Sequence, residues 1–422
     1  MSAELRNWAG NLAYGARRVH RPTTLDELRA VVAGSDRIRA LGTRHSFSAV
    51  ADTVDDLVSL EAMPSVVEID AAGGAVTVGA GVRYAELARE LHAAGLALAN
   101  LASLPHISVA GACATGTHGS GVRNTVLAGS VRGFELMTAG GELRTVRRGD
   151  PDFPGLVVNL GAVGVVTALT LDVEPTYQVR QTVYLDLPLG PALDHFEELV
   201  SCAYSVCLFT DWASPHFTQV WVIARTDEPE PKAPGEPWFT ATPAGRDVHP
   251  VITNSAAACT AQQGVPGPWH TRMAHFRPEF TPSSGAELQS EYAVPIRYAT
   301  AAIEALDRVR GDIHPVLQIC EVRTVAADDF WLSPAYGTDV ITIHFTWIPD
   351  ESPVRDVIRL VEERLAPFDA RPHWAKLFEV TPEQVRRCYP RVPDFASLAR
   401  RYDPDGTFGN AFTRLYLEGT IA

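Results

Sequence analysis

Hydrophobic positions in the first third of the chain switch between two periods. Leu25, Leu28, Val31 and Val32 share a helical face behind Thr24-Leu-Asp-Glu27, which predicts a helix opened by a capping box. Residues 37–41 read as a strand ending at Gly42, and residues 66–69 and 75–78 flank Gly73-Gly74 as a hairpin. Tyr84, Leu87, Ala88 and Leu91 mark a second helix, stopped by Gly95. Beyond a glycine-rich stretch at 111–121, strand patterns resume at 131–138, 143–146 and 165–173, the last closing at Pro175.

The middle of the chain differs. Residues 226–250 hold Pro229, Pro231, Pro234, Pro237, Pro243 and Pro250 with few periodic apolar positions, which predicts a surface excursion. Strand patterns follow at 286–293, 317–325 and 340–347, with helical patterns at 298–309 and 354–365. The pattern predicts an α+β fold: one unit over 1–175, a second α+β unit over 176–371, and residues 372–422 returning to the first or capping it.

Composition narrows the class. The 422 residues carry a formal charge of −14, with 46% hydrophobic and 20% charged positions. That profile suits a globular chain of about two or three domains. The acidic balance argues against nucleic acid and against an anionic membrane surface. The most apolar run, 160–171, is broken by Gly161, Gly164, Thr167 and Thr170 and falls short of the roughly 18 residues of a span. No secretory signal is visible, so a cytoplasmic protein is expected. The six cysteines form no C-x-x-C pair, and the thirteen histidines do not fall at ligand spacing beside them. Free thiols and no metal site are therefore expected. The phosphate-binding P-loop, the G-x-S-x-G elbow, the H-E-x-x-H helix and the G-x-G-x-x-G turn are all missing.

Chemistry gathers in a few places. Leu41-Gly-Thr-Arg-His-Ser-Phe47 and the glycine-rich run from Ser108 to Gly121 are loops whose backbone N–H groups can approach an anion, which favours a pyrophosphate cofactor over two ordinary turns. Side chains at i and i+2 of a strand share a face. Glu321 and Arg323 therefore lie together, as do Thr342, His344 and Thr346, and Gln289 and Glu291, opposite an apolar face of Ile341, Ile343, Phe345 and Trp347. A local ion pair or a solvated sheet face would explain each strand alone. Polar faces on three strands of one unit suit the floor of a pocket for a many-hydroxylated ligand. Lys376, in His373-Trp-Ala-Lys376, is either solvated or placed beside a developing anion.

Taken together, Gly42-Thr-Arg-His45-Ser-Phe47, Ala102-Ser103-Leu-Pro-His-Ile-Ser-Val-Ala-Gly111, Ala114-Thr-Gly-Thr-His-Gly119, Glu321-Val-Arg323 and His373-Trp-Ala-Lys376 resemble the vanillyl-alcohol-oxidase-type flavoproteins over nearly the whole chain. The resemblance is nearest to members that oxidise sugar alcohols, with sugar-1,4-lactone oxidases more distant. It implies a two-lobed FAD-binding domain of the vanillyl-alcohol-oxidase/p-cresol-methylhydroxylase type, with an inserted α+β substrate-binding (cap) domain. It implies FAD held covalently through His45 and cradled by Gly42, Thr43, Arg44, Ser46, Phe47, Ser103, Ser108, Gly111, Ala114, Gly116, Thr117, His118, Gly119 and Val166. Ser103, Gln289, Glu321, Arg323, His344, Thr346 and Lys376 would line a polyol pocket, with Arg323 and Lys376 catalytic at the reacting hydroxyl. The implied reaction oxidises the terminal hydroxyl of an alditol, with hydride to the flavin and O2 reduced to hydrogen peroxide; a lactone oxidase is the alternative. No protein partner is implied, and no general base is identified.

Overall fold

In the computed structural model, which describes residues 4–229, 231, 240–280 and 286–418, Thr24 Oγ1 accepts the Glu27 amide at 3.2 Å and opens the helix Leu25–Ala33. The return half of the expected capping box closes one residue early, because Glu27 takes the amide and hydroxyl of Thr23 at 2.7 and 2.9 Å. Strands Arg18–His20, Asp56–Ser59 and Ile38–Leu41 then form a parallel sheet in that order. A five-stranded antiparallel sheet follows, ordered Val67–Asp70, Ala75–Gly79, Val165–Asp172, Val131–Met137 and Leu143–Arg147. The helix Tyr84–Ala93 buries Tyr84, Leu87, Ala88 and Leu91 and stops before Gly95, whose φ of +75° favours glycine.

Buried Arg39 ties distant segments together. Its guanidinium donates to the carbonyl oxygens of Leu160, Gly161 and Phe408 at 2.6, 2.7 and 2.6 Å and to that of Val50. The Ile38 amide donates to Thr407 O at 2.8 Å, which ties that part of the C-terminal segment to the strand Ile38–Leu41. Farther out, Arg401 pairs with Asp152 at 2.7 Å and anchors the helix Val392–Tyr402 beside residues 153–156.

The central element is a nine-stranded antiparallel sheet. Its main path runs Thr242–Pro243, Gln178–Pro188, His216–Arg225, Ser205–Thr210, Leu317–Val325, Val340–Trp347, Leu288–Pro295 and Arg371–Pro372, with Gly267–Pro268 also on Gln178–Pro188. One face is apolar: Phe345 and Trp347 stack at 4.8 Å, and Trp347 Nε1 donates to Ser290 Oγ at 2.9 Å. The helices Ala299–Asp307 and Glu351–Leu365 carry buried apolar stripes to this core, each fully buried large side chain contributing about 1.5–3 kcal/mol. With that face sealed, the other is free to hold polar groups in fixed positions.

Residues 371–377 stay on the sheet edge. Arg371–Pro372 pairs with Ala293 and Tyr292, the His373 amide donates to Glu291 O, and the Leu377 amide to Gln289 O, both at 2.9 Å. Of the expected proline-rich excursion, residues 230 and 232–239 lie outside the described residues. Beyond them the chain runs partly on the surface, with Thr242, Pro243, Gly245 and Arg246 exposed, but Pro243 pairs with Tyr184, and His249 and Pro250 are buried against the sheet, where Gln219 donates to both carbonyl oxygens. The cysteines are free thiols, and among the described residues no helix is long and apolar enough to cross a membrane.

Candidate active site

The two glycine-bearing loops meet so closely that a side chain would not fit between them. A Cβ on Gly42 or on Gly111 would stand 2.8 Å from Ser108 Oγ. Among the described residues, the backbone N–H groups of Thr43, Arg44, His45 and Ser46 find no acceptor within the protein. Orphan amides in a partly enclosed cleft are costly unless a ligand takes them. The loop is strapped to the far end of the chain, with the Phe47 amide on Ala375 O at 2.7 Å and Ser48 Oγ on Trp374 O at 2.6 Å. That strap brings Lys376 Nζ to 5.1 Å from the Phe47 ring.

His45 lies in the same wall, stacked on Trp8 at 5.4 Å. Burial pushes its imidazole down to about 4, helped by His106, Lys376, Arg83 and Arg44. The ring is thus neutral near pH 7 and keeps a nucleophilic nitrogen, while Lys376, Arg83 and Arg44 favour an anionic ligand.

The polar sheet face forms the opposite wall. Backbone register places Phe209, Glu321, His344 and Glu291 in one row across neighbouring strands, with Arg323 two residues on. Arg323 sits between two carboxylates, 3.5 Å from Glu291 Oε1 and 3.5 Å from Glu321 Oε2, and donates to Ser103 Oγ at 3.1 Å. His118 Nε2 meets Glu291 Oε1 at 2.8 Å, which links the glycine-rich loop to the sheet. Lys376 Nζ donates to Gln289 Oε1. Burial alone would raise both carboxyls, but their neighbours prevail: Arg323, His275 and His344 bring Glu321 down to about 2, and His118, His344 and Arg323 hold Glu291 well below the carboxylate range. Burial would lower Arg323, yet Glu321 and Glu291 keep it above the ordinary guanidinium value. Burial lowers His344, with Lys376 adding to the effect, and burial also lowers Lys376, with Arg323 pushing the same way. Glu321 Oε1, Arg323 Nε and His344 Nε2 are buried without a hydrogen-bond partner among the described residues, so the wall is built to be completed by a ligand.

Both walls enclose one cavity of about 310 Å³. Gly42, Thr43, Arg44, His45, Ser46, Phe47, Ser103, Ser108, Gly111, Ala114, Thr117, His118 and Val166 line it, as do Gln289, Glu321, Arg323, His344 and Lys376. Gly116, Gly119 and Thr346 lie outside its wall. Gly116, at φ +69°, has Pro334 Cδ 2.9 Å from its would-be Cβ, and a Cβ on Gly119 would run into Asn100 and Leu101 O, so packing explains both glycines. Thr346 is buried between Ile319 and Gln289 in the sheet register. Beyond the expected site residues, Glu291, His275 and the turn Asn159, Leu160, Gly161 and Gly164 also line the cavity. Glu291 shares its strand face with Gln289, and the paired glycines broke the 160–171 apolar run, so both carried a signal. His275 carried none.

A cofactor cleft of free backbone amides, joined to a charged, buried and incompletely satisfied substrate wall, defines a cofactor-dependent enzyme of small-molecule chemistry. Residues 16–147 match the family described as FAD binding domain, and residues 286–416 the family described as D-arabinono-1,4-lactone oxidase. The chain is 53% identical to alditol oxidase of a Streptomyces species, covering 99% of this chain and 100% of that one. It is 30% identical to L-gulono-1,4-lactone dehydrogenase of Mycobacterium tuberculosis, over 99% and 100% of the two chains. Cholesterol oxidase from B. sterolicum shares the fold, with a TM-score of 0.78 at 16% identity over 98% of this chain and 96% of that one. The chain belongs to the vanillyl-alcohol-oxidase-type family of FAD flavoproteins, an oxidoreductase family with an FAD-binding domain and a mixed helix and sheet architecture.

Proposed function

We propose that the protein oxidises the terminal hydroxyl of an alditol such as xylitol or sorbitol to the aldose, with O2 as the electron acceptor. The observation that carries this reading is Arg323, buried between Glu291 and Glu321 and reaching Ser103, on a sheet face that shares one cavity with the His45 loop. FAD, when bound, supplies the hydride acceptor and passes the electrons to O2, giving hydrogen peroxide. Thr43, Arg44 and Ser46 offer the free amides that would hold it, and neutral His45 offers the nitrogen for a covalent tether. Arg323 and Lys376 favour alkoxide character at the reacting hydroxyl by placing positive charge beside it. Ser103, Gln289, Glu321 and His344 bind the remaining hydroxyls, each unmet partner penalising a ligand that lacks one. Residues 1–175 with the C-terminal return form the cofactor unit and 176–371 the substrate unit, with 372–377 serving both.

A second reading is supported by the match of residues 286–416 to the lactone oxidase family. Peroxide release from xylitol, sorbitol and glycerol against galactono- and gulono-1,4-lactone separates the two. Turnover on polyols supports the first reading, and turnover on lactones alone overturns it. For the tether, acid-precipitated protein should stay yellow and the His45→Ala protein should lose its colour on precipitation. Colour released from the unaltered protein would contradict the linkage.

A further inference from the structure

Cys207, His275 and Glu321 come from separate segments and bring one ligand-type atom each within 4.8 Å of the others. The imidazole turns different nitrogens to its two neighbours. Nε2 lies 3.5 Å from Cys207 Sγ, and Nδ1 lies 3.5 Å from Glu321 Oε1. A single ion would bind one ring nitrogen and draw both neighbours to that edge. Contacts on two edges, one a hydrogen bond and one a longer polar contact, fit a chain of oriented groups better than an ion. Burial holds the His275 imidazole down to about 4, so near pH 7 the ring carries one N–H. The Glu321 carboxylate only accepts, which assigns the proton to Nδ1 and leaves Nε2 to accept from the thiol. Burial raises the Cys207 thiol, so its proton is always present to donate. Phe209 and Trp221 close on the ring edge-on at 5.7 and 5.0 Å and hold its plane.

We propose that His275 is a positioning residue for polyol binding: its Nδ1–H orients the Glu321 carboxylate as a hydroxyl acceptor, and the Cys207 thiol fixes its tautomer. This rests on the alditol reading above. Glu321 Oε2 faces Arg323 on its own strand and His344 on the next, with the Glu291–His118 pair beyond Arg323, while Oε1 faces His275 and Cys207. Oε1 has no hydrogen-bond partner among the described residues: the Nδ1–H group, 3.5 Å away, acts on it as a charge–dipole contact and leaves that oxygen open to a substrate hydroxyl. Losing His275 therefore frees one oxygen while Arg323 and His344 retain the other.

The test uses the flavin-loaded enzyme with xylitol. His275→Phe keeps a ring and removes both nitrogens, whereas His275→Asn returns a donor near the Nδ1 position. His275→Phe should raise KM by roughly fivefold, below the scale of a full hydrogen bond to a charged group, with kcat within about twofold. The acid limb of kcat/KM should move to higher pH, because Glu321 loses a group that favours its ionised form. His275→Asn should recover most of both changes, and Cys207→Ala should shift KM in the same direction while Cys207→Ser does not. A folded, yellow His275→Phe enzyme with unaltered KM and acid limb overturns the proposal, as does an Asn variant no better than Phe. Should the Phe variant not fold, the cysteine pair decides, and equal KM values for Cys207→Ala and Cys207→Ser overturn it. Failure of every polyol to reduce the unaltered enzyme would instead refute the alditol reading.

Discussion

The two faces of the central sheet bury carboxyl groups with opposite outcomes. On the cavity face, Glu291 and Glu321 are forced below the carboxylate range because Arg323, His118, His275 and His344 surround them. On the apolar face, the Glu362 carboxyl accepts the Tyr292 hydroxyl and the Glu379 amide, both at 2.8 Å, and burial raises it to about 7. Burial by itself penalises charge on either face. Arg323, with the histidines around it, reverses that penalty on one side; on the other, the hydrogen bonds to Glu362 do not overcome burial, and Glu379 adds to it. The ionised face is thus a constructed feature: its charges are held in place at a cost in desolvation, ready to meet the hydroxyls of a ligand.

The comparison breaks most visibly at Arg323. Arg323→Ala should leave two buried carboxylates without their shared cation. Stability should fall by about 3–5 kcal/mol, and flavin reduction by polyol should slow by a factor on the order of 10²–10³. Urea unfolding and anaerobic stopped-flow absorbance check the two effects, and unchanged reduction would remove Arg323 from the mechanism.

Glu362 sharpens the contrast through pH. Its folded pKa of about 7 lies above the unfolded value, roughly 4.3, so the folded state binds more protons between them. Its contribution is complete below the unfolded value and is lost as pH rises through about 7. Glu362→Gln should remove on the order of 2–3 kcal/mol of stability loss between pH 5 and pH 8. Melting temperatures across that range provide the check, and an identical slope in the variant contradicts the assignment.

The smallest effect belongs to Thr346, which shares the polar face but lies outside the cavity wall. Thr346→Val should cost about 1 kcal/mol or less and leave KM for xylitol within about twofold. A large rise in KM would return Thr346 to the pocket.

The polar faces of Leu317–Val325 and Val340–Trp347 were legible because alternation in a half-buried strand is a local property. So were the glycine loops, whose close approach needs a missing side chain. The strand Gln178–Pro188 also alternates between buried and less buried positions, a pattern as local as the others. What the chain order hides is juxtaposition. His275 reaches Cys207 across 68 positions and His118 reaches Glu291 across 173, and neither carries a local motif. Gly116 and Gly119 show the reverse: the run in which they sit drew a ligand reading, while the structure uses both for backbone packing against Pro334 and Asn100.

A flavin that shares its chamber with a charged, hydroxyl-accepting sheet face should take hydride from a sugar alcohol bound there. An anaerobic titration of the yellow protein with xylitol, followed at the visible flavin band, tests it most directly. The account predicts full loss of the band with xylitol and its return on admitting oxygen, with peroxide formed. A band that neither xylitol nor sorbitol diminishes would contradict it.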